Sequence, residues 1–231
     1  MASIIPDRQL FIVTSALNTG MGVITPQDRI DQTIRGLEIL RKVVPDAIIV
    51  FAEGSHNKVE EEKFLQISQY VDFIADFSSD ADVGMFAKNH KKSEAECVLL
   101  IKCLLLLKQE PTMMKMMHSV NRIYKFSGRT ELLNAFDVHE HEHWGKYVFK
   151  KRIPTWIEDG RKDIFTDLLI TRLYSFCPSL IDDYIQVLHK NISTTMQVRI
   201  DTEHAHFFNI NKENLIELDS VHCVGTVATS G

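Results

Sequence analysis

The sequence predicts an α/β fold, a three-layer sandwich around a mostly parallel central sheet. Three observations lead there. Phe11-Ile12-Val13 and Ala47-Ile48-Ile49-Val50-Phe51 are short, unbroken apolar runs, as expected of strands buried on both faces. Between them lies an amphipathic helix with its own start and stop signals. Each run then passes into a polar cluster, Thr14-Ser15-Ala16-Leu17-Asn18 and Glu53-Gly54-Ser55. A βαβ unit places ligands beyond the carboxyl ends of its strands, so both clusters are candidate binding segments.

The first helix is capped by Thr25, carries Pro26 in its first turn and Asp28 near its positive end, and stops at Pro45-Asp46. Ile30, Ile34, Leu37 and Val44 form its buried face. A second helix is expected from about Asn57 to Tyr70, and the alternation over 71–77 predicts a strand. Residues 78–89 read as a polar loop. A long helix follows over about 93–108, with Ser93 as cap and Glu96 completing a capping box. Pro111 and the methionines at 113, 114, 116 and 117 read as a core-filling connection. Strands are expected at 122–126, 147–152 and 168–174, a helix at 178–191, and short strands at 205–208 and 221–224. No repeat, linker or composition break divides residues 1–231, which predicts a single α/β domain with a ligand-binding half (1–130) and a completing half (131–231).

A hydrophobic content of 45% and a charged content of 25% are those of an ordinary globular protein. The net charge of −5 argues against a nucleic-acid binder, although Lys146, Lys150, Lys151 and Arg152 with Tyr147, Phe149 and Trp156 form one basic, aromatic strip. Four cysteines without CxxC spacing suit reduced thiols, the N-terminus shows no secretory pattern, and the most apolar run, 98–107, is about half a membrane span. These features predict a cytoplasmic location and leave oligomeric state open. Gly20-Met21-Gly22 lacks the continuation of a dinucleotide fingerprint or a P-loop, and no nucleophile elbow or cysteine-protease signature is visible.

Glu53-Gly54-Ser55 closing the second strand resembles the nucleotide-diphospho-sugar transferase fold, the GT-A glycosyltransferases. In that family a carboxylate at this place contacts the nucleoside. Arg29, Thr33 and Leu37 on the intervening helix are similar to its pattern, and Lys125-Phe126-Ser127-Gly128-Arg129 is similar to a strand found in some bacterial and viral members. The resemblance implies a nucleotide-activated sugar as donor and a glycan or other acceptor. It assigns the nucleoside to Thr14, Ser15, Ala16, Glu53 and Ser55, and the diphosphate to Lys125, Gly128 and Arg129, with Lys92 at a helix N-terminus adding charge. Asp137 is the candidate base for the acceptor. The whole chain also resembles uncharacterised proteins of marine cyanobacterial phages, which implies the host cytoplasm as location and a non-catalytic accessory protein as an alternative. A sugar-phosphate nucleotidyltransferase, suggested by Gly20-Met21-Gly22 ahead of Arg29, ranks third.

One departure from the family is prominent. Its metal-dependent members hold Mn²⁺ or Mg²⁺ with an Asp-x-Asp ending an apolar strand, and no such pair is visible here. Ser79-Asp80-Ala81-Asp82 has the letters but sits in a polar segment, so a metal-independent site built from lysine and arginine is an open alternative. His139 and His143 in Asp137-Val138-His139-Glu140-His141-Glu142-His143, and His204 and His206 further on, are weaker metal candidates. For both groups a solvated turn or an alternating strand is the simpler reading.

Overall fold

The computed structural model describes residues 8–18, 24–89, 91–157 and 164–225. Its elements in chain order are β1 (Arg8–Ser15), α1 (Pro26–Val43), β2 (Ile48–Glu53), α2 (Glu61–Ser68), β3 (Phe73–Asp76), α3 (Ala81–Lys88), α4 (Lys92–Gln109), α5 (Pro111–Met117), β4 (Val120–Ser127), β5 (Thr130–Leu132), β6 (Tyr147–Lys150), β7 (Ile153–Trp156), β8 (Phe165–Leu168), β9 (Leu173–Phe176), α6 (Ile181–Val198), α7 (Thr202–Asn209), β10 (Leu215–Leu218) and β11 (Cys223–Gly225). Seven strands form the main sheet in the order β10-β6-β9-β4-β1-β2-β3. β3, β2, β1 and β4 run parallel, β9 is antiparallel to both β4 and β6, and β10 is parallel to β6. The sheet is therefore mostly parallel, as its apolar strand runs predict.

Side chains alternate between the two faces of a strand, and here each face meets its own helices. Leu10 and Ile12 of β1 and Ile48 and Val50 of β2 pack with Cys97, Leu100 and Leu104 of α4 and Tyr184 and Leu188 of α6. Phe11, Val13, Ile49 and Phe51 face the other way, toward Ile30, Leu37 and Leu40 of α1 and Ile67 of α2. Thr25 caps α1, its hydroxyl oxygen accepting the Asp28 amide at 3.1 Å. Among the described residues no helix is long and apolar enough to cross a membrane. The four cysteines are free thiols; burial pushes Cys97 and Cys103 up to about 12, leaving them inert near neutral pH.

The topology fixes where a ligand can sit. From β1 the chain moves through α1 to β2 and β3 on one side. It then returns through α3, α4 and α5 to β4 on the other side of β1. The connections therefore leave the sheet on opposite sides of the β1–β4 pair, and the carboxyl ends of these strands form the switch point at which open α/β sheets bind ligands.

Several local expectations are corrected. Residues 78–89 contain α3, because Asp80 caps it, accepting the amides of Asp82 and Val83 at 3.0 and 3.1 Å. Asp80 and Asp82 also both reach Lys102 of α4 at 2.8 Å, so these two carboxylates anchor a helix. Residues 205–208 lie in α7, capped by Asp201; the alternating histidines imitate a strand. The strand expected at 168–174 divides into the end of β8 and the start of β9. The methionine segment is α5, and α2 begins at Glu61. Ser93 does not cap α4: its hydroxyl accepts the Thr202 amide at 3.1 Å, a tertiary bond invisible to a local motif. Tyr147 and Phe149 are fully buried, which removes them from any stacking surface. Gly20-Met21-Gly22 lies outside the described residues.

Gly36 marks the tightest approach of α1 to the β5 segment. A Cβ there would lie 2.7 Å from the Thr130 carbonyl oxygen, whereas one at Gly84 in α3 would meet nothing within 4 Å. In thermal denaturation, Gly36→Ala is expected to destabilise by about 1–3 kcal/mol despite its better helix propensity. Gly84→Ala is expected to stabilise by about 0.5–1 kcal/mol. Equal effects from the two substitutions would contradict the packing described here.

Candidate functional site

A cavity of about 330 Å³ opens at that switch point. Thr14, Ser15 and Ala16 from the end of β1 and Ser127, Gly128 and Arg129 from the end of β4 line it. Arg29 and Thr33 of α1, Lys92 and Glu96 of α4, and Arg172 ahead of β9 add to its polar wall, with His56 and Thr130. Two helices, α1 and α4, begin beside it, and helix N-termini favour anions. Gly225 of β11 is also in the wall; a Cβ there would lie 3.1 Å from the Arg172 side chain, so the glycine leaves room for this arginine.

Three guanidinium groups crowd the cavity. Burial and then the charge of Arg129 hold Arg29 below the ordinary arginine value, partly offset by Glu53. Burial and then Arg172 do the same to Arg129. One terminal nitrogen of Arg129, Nη1, is buried with no hydrogen-bond partner. An anion seated between these groups would relieve both the repulsion and the missing bond.

Lys125 is absent from this wall. It is 1% exposed and its Nζ lies 2.5 Å from Glu96 Oε1, with further bonds of 2.7 Å to Ser127 Oγ and to the Thr171 carbonyl. The Thr14 hydroxyl donates to the same Glu96 oxygen at 3.2 Å. Burial raises the Glu96 carboxyl, but the charge and hydrogen bond of Lys125, His206 and the Thr14 bond outweigh it, and the group is held below the ordinary glutamate range. Glu96 is the one carboxylate among the described lining residues. The S-x-x-E spacing presents it as a capping residue, and only the fold reveals its long-range partner.

Glu53 and Ser55 are also fully buried. The Glu53 carboxylate accepts the Leu17 amide at 3.1 Å and the Ser55 amide at 2.8 Å, and it accepts the Ser55 hydroxyl. Ser55 Oγ in turn accepts the Asn18 amide at 2.7 Å. The pair thus clamps the loop after β1 onto the end of β2. Burial raises the Glu53 carboxyl, and hydrogen bonds from Ser55, Leu17 and Ser15 oppose the rise. The Gly128 amide is similarly engaged, donating to the Thr14 carbonyl at 2.8 Å; a Cβ at Gly128 would lie 3.1 Å from that oxygen. Glycine here lets β4 close on β1.

The remaining candidates scatter. Asp137 caps the short turn Val138–His141, accepting the His139 amide at 2.9 Å, and is not among the lining residues. His139 is largely exposed beside Glu142, while the His143 carbonyl accepts Arg122 at 2.7 Å. His204 pairs with Asp201 at 2.7 Å. His206 bonds the Thr202 carbonyl and Tyr184, and burial lowers it to about 4. Among the described residues no group of three or more His, Cys, Asp or Glu side chains is placed to hold a metal ion. Nor do the described lining residues suit Mn²⁺ or Mg²⁺: they offer one carboxylate, already paired with Lys125, among four cationic side chains.

No protein-family model and no curated protein matches the chain. Solved structures do. The PaToxG glycosyltransferase is similar with a TM-score of 0.49 and 11% identity, over 90% of this chain and 70% of that one. Core-mannan synthase A (CmsA/Ktr4) from Aspergillus fumigatus, in its Mn/GDP form, is similar with a TM-score of 0.48 and 7% identity, over 96% of this chain and 79% of that one.

Glu53→Ala leaves the Leu17 and Ser55 amides without their acceptor inside the protein. Chemical denaturation is expected to show a loss of about 3 kcal/mol. A loss below about 1 kcal/mol would contradict a clamping role for this carboxylate.

Proposed function

We propose that the cavity binds a nucleotide-activated sugar and that the protein is a glycosyltransferase acting on a hydroxyl of a glycan or other acceptor. The observation that carries this reading is the convergence, among the described residues, of Arg29, Lys92, Arg129 and Arg172 with one carboxylate, Glu96, at the β1–β4 switch point. Four cations suit a diphosphate, and Thr14, Ser15 and Ala16 offer the polar shelf against which a nucleoside would lie. Glu53 and Ser55 act from beneath by fixing that shelf.

In the transfer, the acceptor oxygen attacks the anomeric carbon. The bond from that carbon to the diphosphate oxygen breaks, and its electron pair leaves with the nucleoside diphosphate. The guanidinium groups stabilise the charge that develops there. Glu96 takes the acceptor's proton, the role first assigned to Asp137. The acceptors to test include host-cell glycans and virion proteins, on the sequence resemblance to phage proteins.

Lys125 bonded to Glu96, the one carboxylate among the described lining residues, favours a second reading, a non-catalytic binder of the same ligand, because a paired carboxylate is a weaker base. Turnover separates the two. Isothermal titration with UDP-, GDP- and CMP-sugars is expected to show binding by at least one donor; binding by none of them would defeat the proposal. For that donor, Glu96→Gln is expected to lower kcat by about 10²- to 10⁴-fold while donor binding persists. Glu96 is ionised above its lowered pKa, so the acid limb of kcat/KM is expected below the ordinary glutamate range. Donor binding without transfer or hydrolysis would establish the second reading.

A further inference from the structure

We infer that the cavity grips the diphosphate of its ligand through cationic side chains alone, with no divalent cation between protein and phosphate. The inference rests on the proposed reading of the cavity as a diphosphate site, and it adds how the charge is met.

The donor set of the wall is inverted relative to a metal site. A divalent ion of the Mg²⁺ class is held by carboxylates and shares the phosphate oxygens with them. Here the lining residues supply Arg29, Lys92, Arg129 and Arg172 against Glu96, and Glu96 is committed to Lys125 at 2.5 Å. A metal entering this wall would meet four cationic side chains. The pair of aspartates nearest in pattern to a metal motif, Asp80 and Asp82, is spent on Lys102 and on the start of α3. Guanidinium groups can meet phosphate oxygens with paired hydrogen bonds, and Arg129 Nη1 still lacks a partner. When the glycosyl group departs, the nucleoside diphosphate gains negative charge at the oxygen released, and these side chains stabilise it where a metal would otherwise do so. A further consequence follows from mass action. Mg²⁺ or Mn²⁺ in solution binds the free diphosphate and lowers its charge, so the metal competes with the protein for its ligand.

The test titrates the full chain with inorganic pyrophosphate, UDP and GDP, in EDTA and in excess Mg²⁺ or Mn²⁺ at matched ionic strength. Pyrophosphate and at least one nucleotide are expected to bind in EDTA, and excess metal is expected to weaken them. Arg129→Ala and Arg172→Ala are each expected to lose about tenfold in affinity. Arg172 is exposed, so its substitution leaves the fold intact, and an unchanged Tm verifies this for both variants. Binding that appears only with metal, or becomes tenfold tighter with it, overturns the inference and leaves the nucleotide-sugar reading standing. Pyrophosphate binding in EDTA that survives both substitutions also overturns it. Pyrophosphate binding that the two arginines control, without binding of any nucleotide sugar, upholds the inference and removes that reading. Failure of every ligand under every condition removes both.

Discussion

The ion pair between Lys125 of β4 and Glu96 of α4 is the constraint on which the rest of the site depends. It lies under the end of β1, where Thr14 joins it, and so ties together the two strands that meet at the switch point and the helix that covers them. Taking two charges out of water is costly, and such a pair persists only when further bonds satisfy it. Ser127, Thr171 and Thr14 supply those bonds. The result is electrostatic as well as mechanical. The charge of Glu96, the one acid among the described lining residues, is balanced from below by Lys125, and the wall above it is left cationic.

A second buried carboxylate acts on the opposite side of β1. Glu53 has no lysine beneath it; it is satisfied by backbone amides and Ser55 and holds the β1 loop against the β2 end. Two glutamates thus border the same strand end with opposite electrostatics. Burial dominates at Glu53 and raises its carboxyl, whereas Lys125 and its partners dominate at Glu96 and lower it. The first shapes the shelf, and the second remains ionised and open enough to meet a ligand, its side chain being 29% exposed.

The parallel half of the sheet was legible because its strands are buried on both faces and therefore read as apolar runs separated by a capped helix. Thr14, Ser15, Ala16, Gly128, Arg129 and Lys92 were legible as lining because they end strands or begin a helix, and topology sends such residues to one edge. Glu53 and Ser55 were found at the right place with a different task, since letters do not show whether a carboxylate meets a ligand or a backbone amide. The pairing of Lys125 with Glu96 was not legible, because each residue's partner lies across the fold and each also fits a plausible local motif. Arg172 carried no signal, because nothing near it in the chain sets it apart from a surface arginine. The histidine strings misled through their period, which is that of a strand, while an aspartate cap and packing against α6 made one of them α7.

The most direct measurement of the central claim is a crystal structure of the protein with a nucleoside diphosphate bound in EDTA. The diphosphate is expected between Arg29, Arg129 and Arg172, with Lys125 still paired to Glu96 below it. A diphosphate lodged elsewhere, or Lys125 released from Glu96 to hold the phosphate, would contradict that claim.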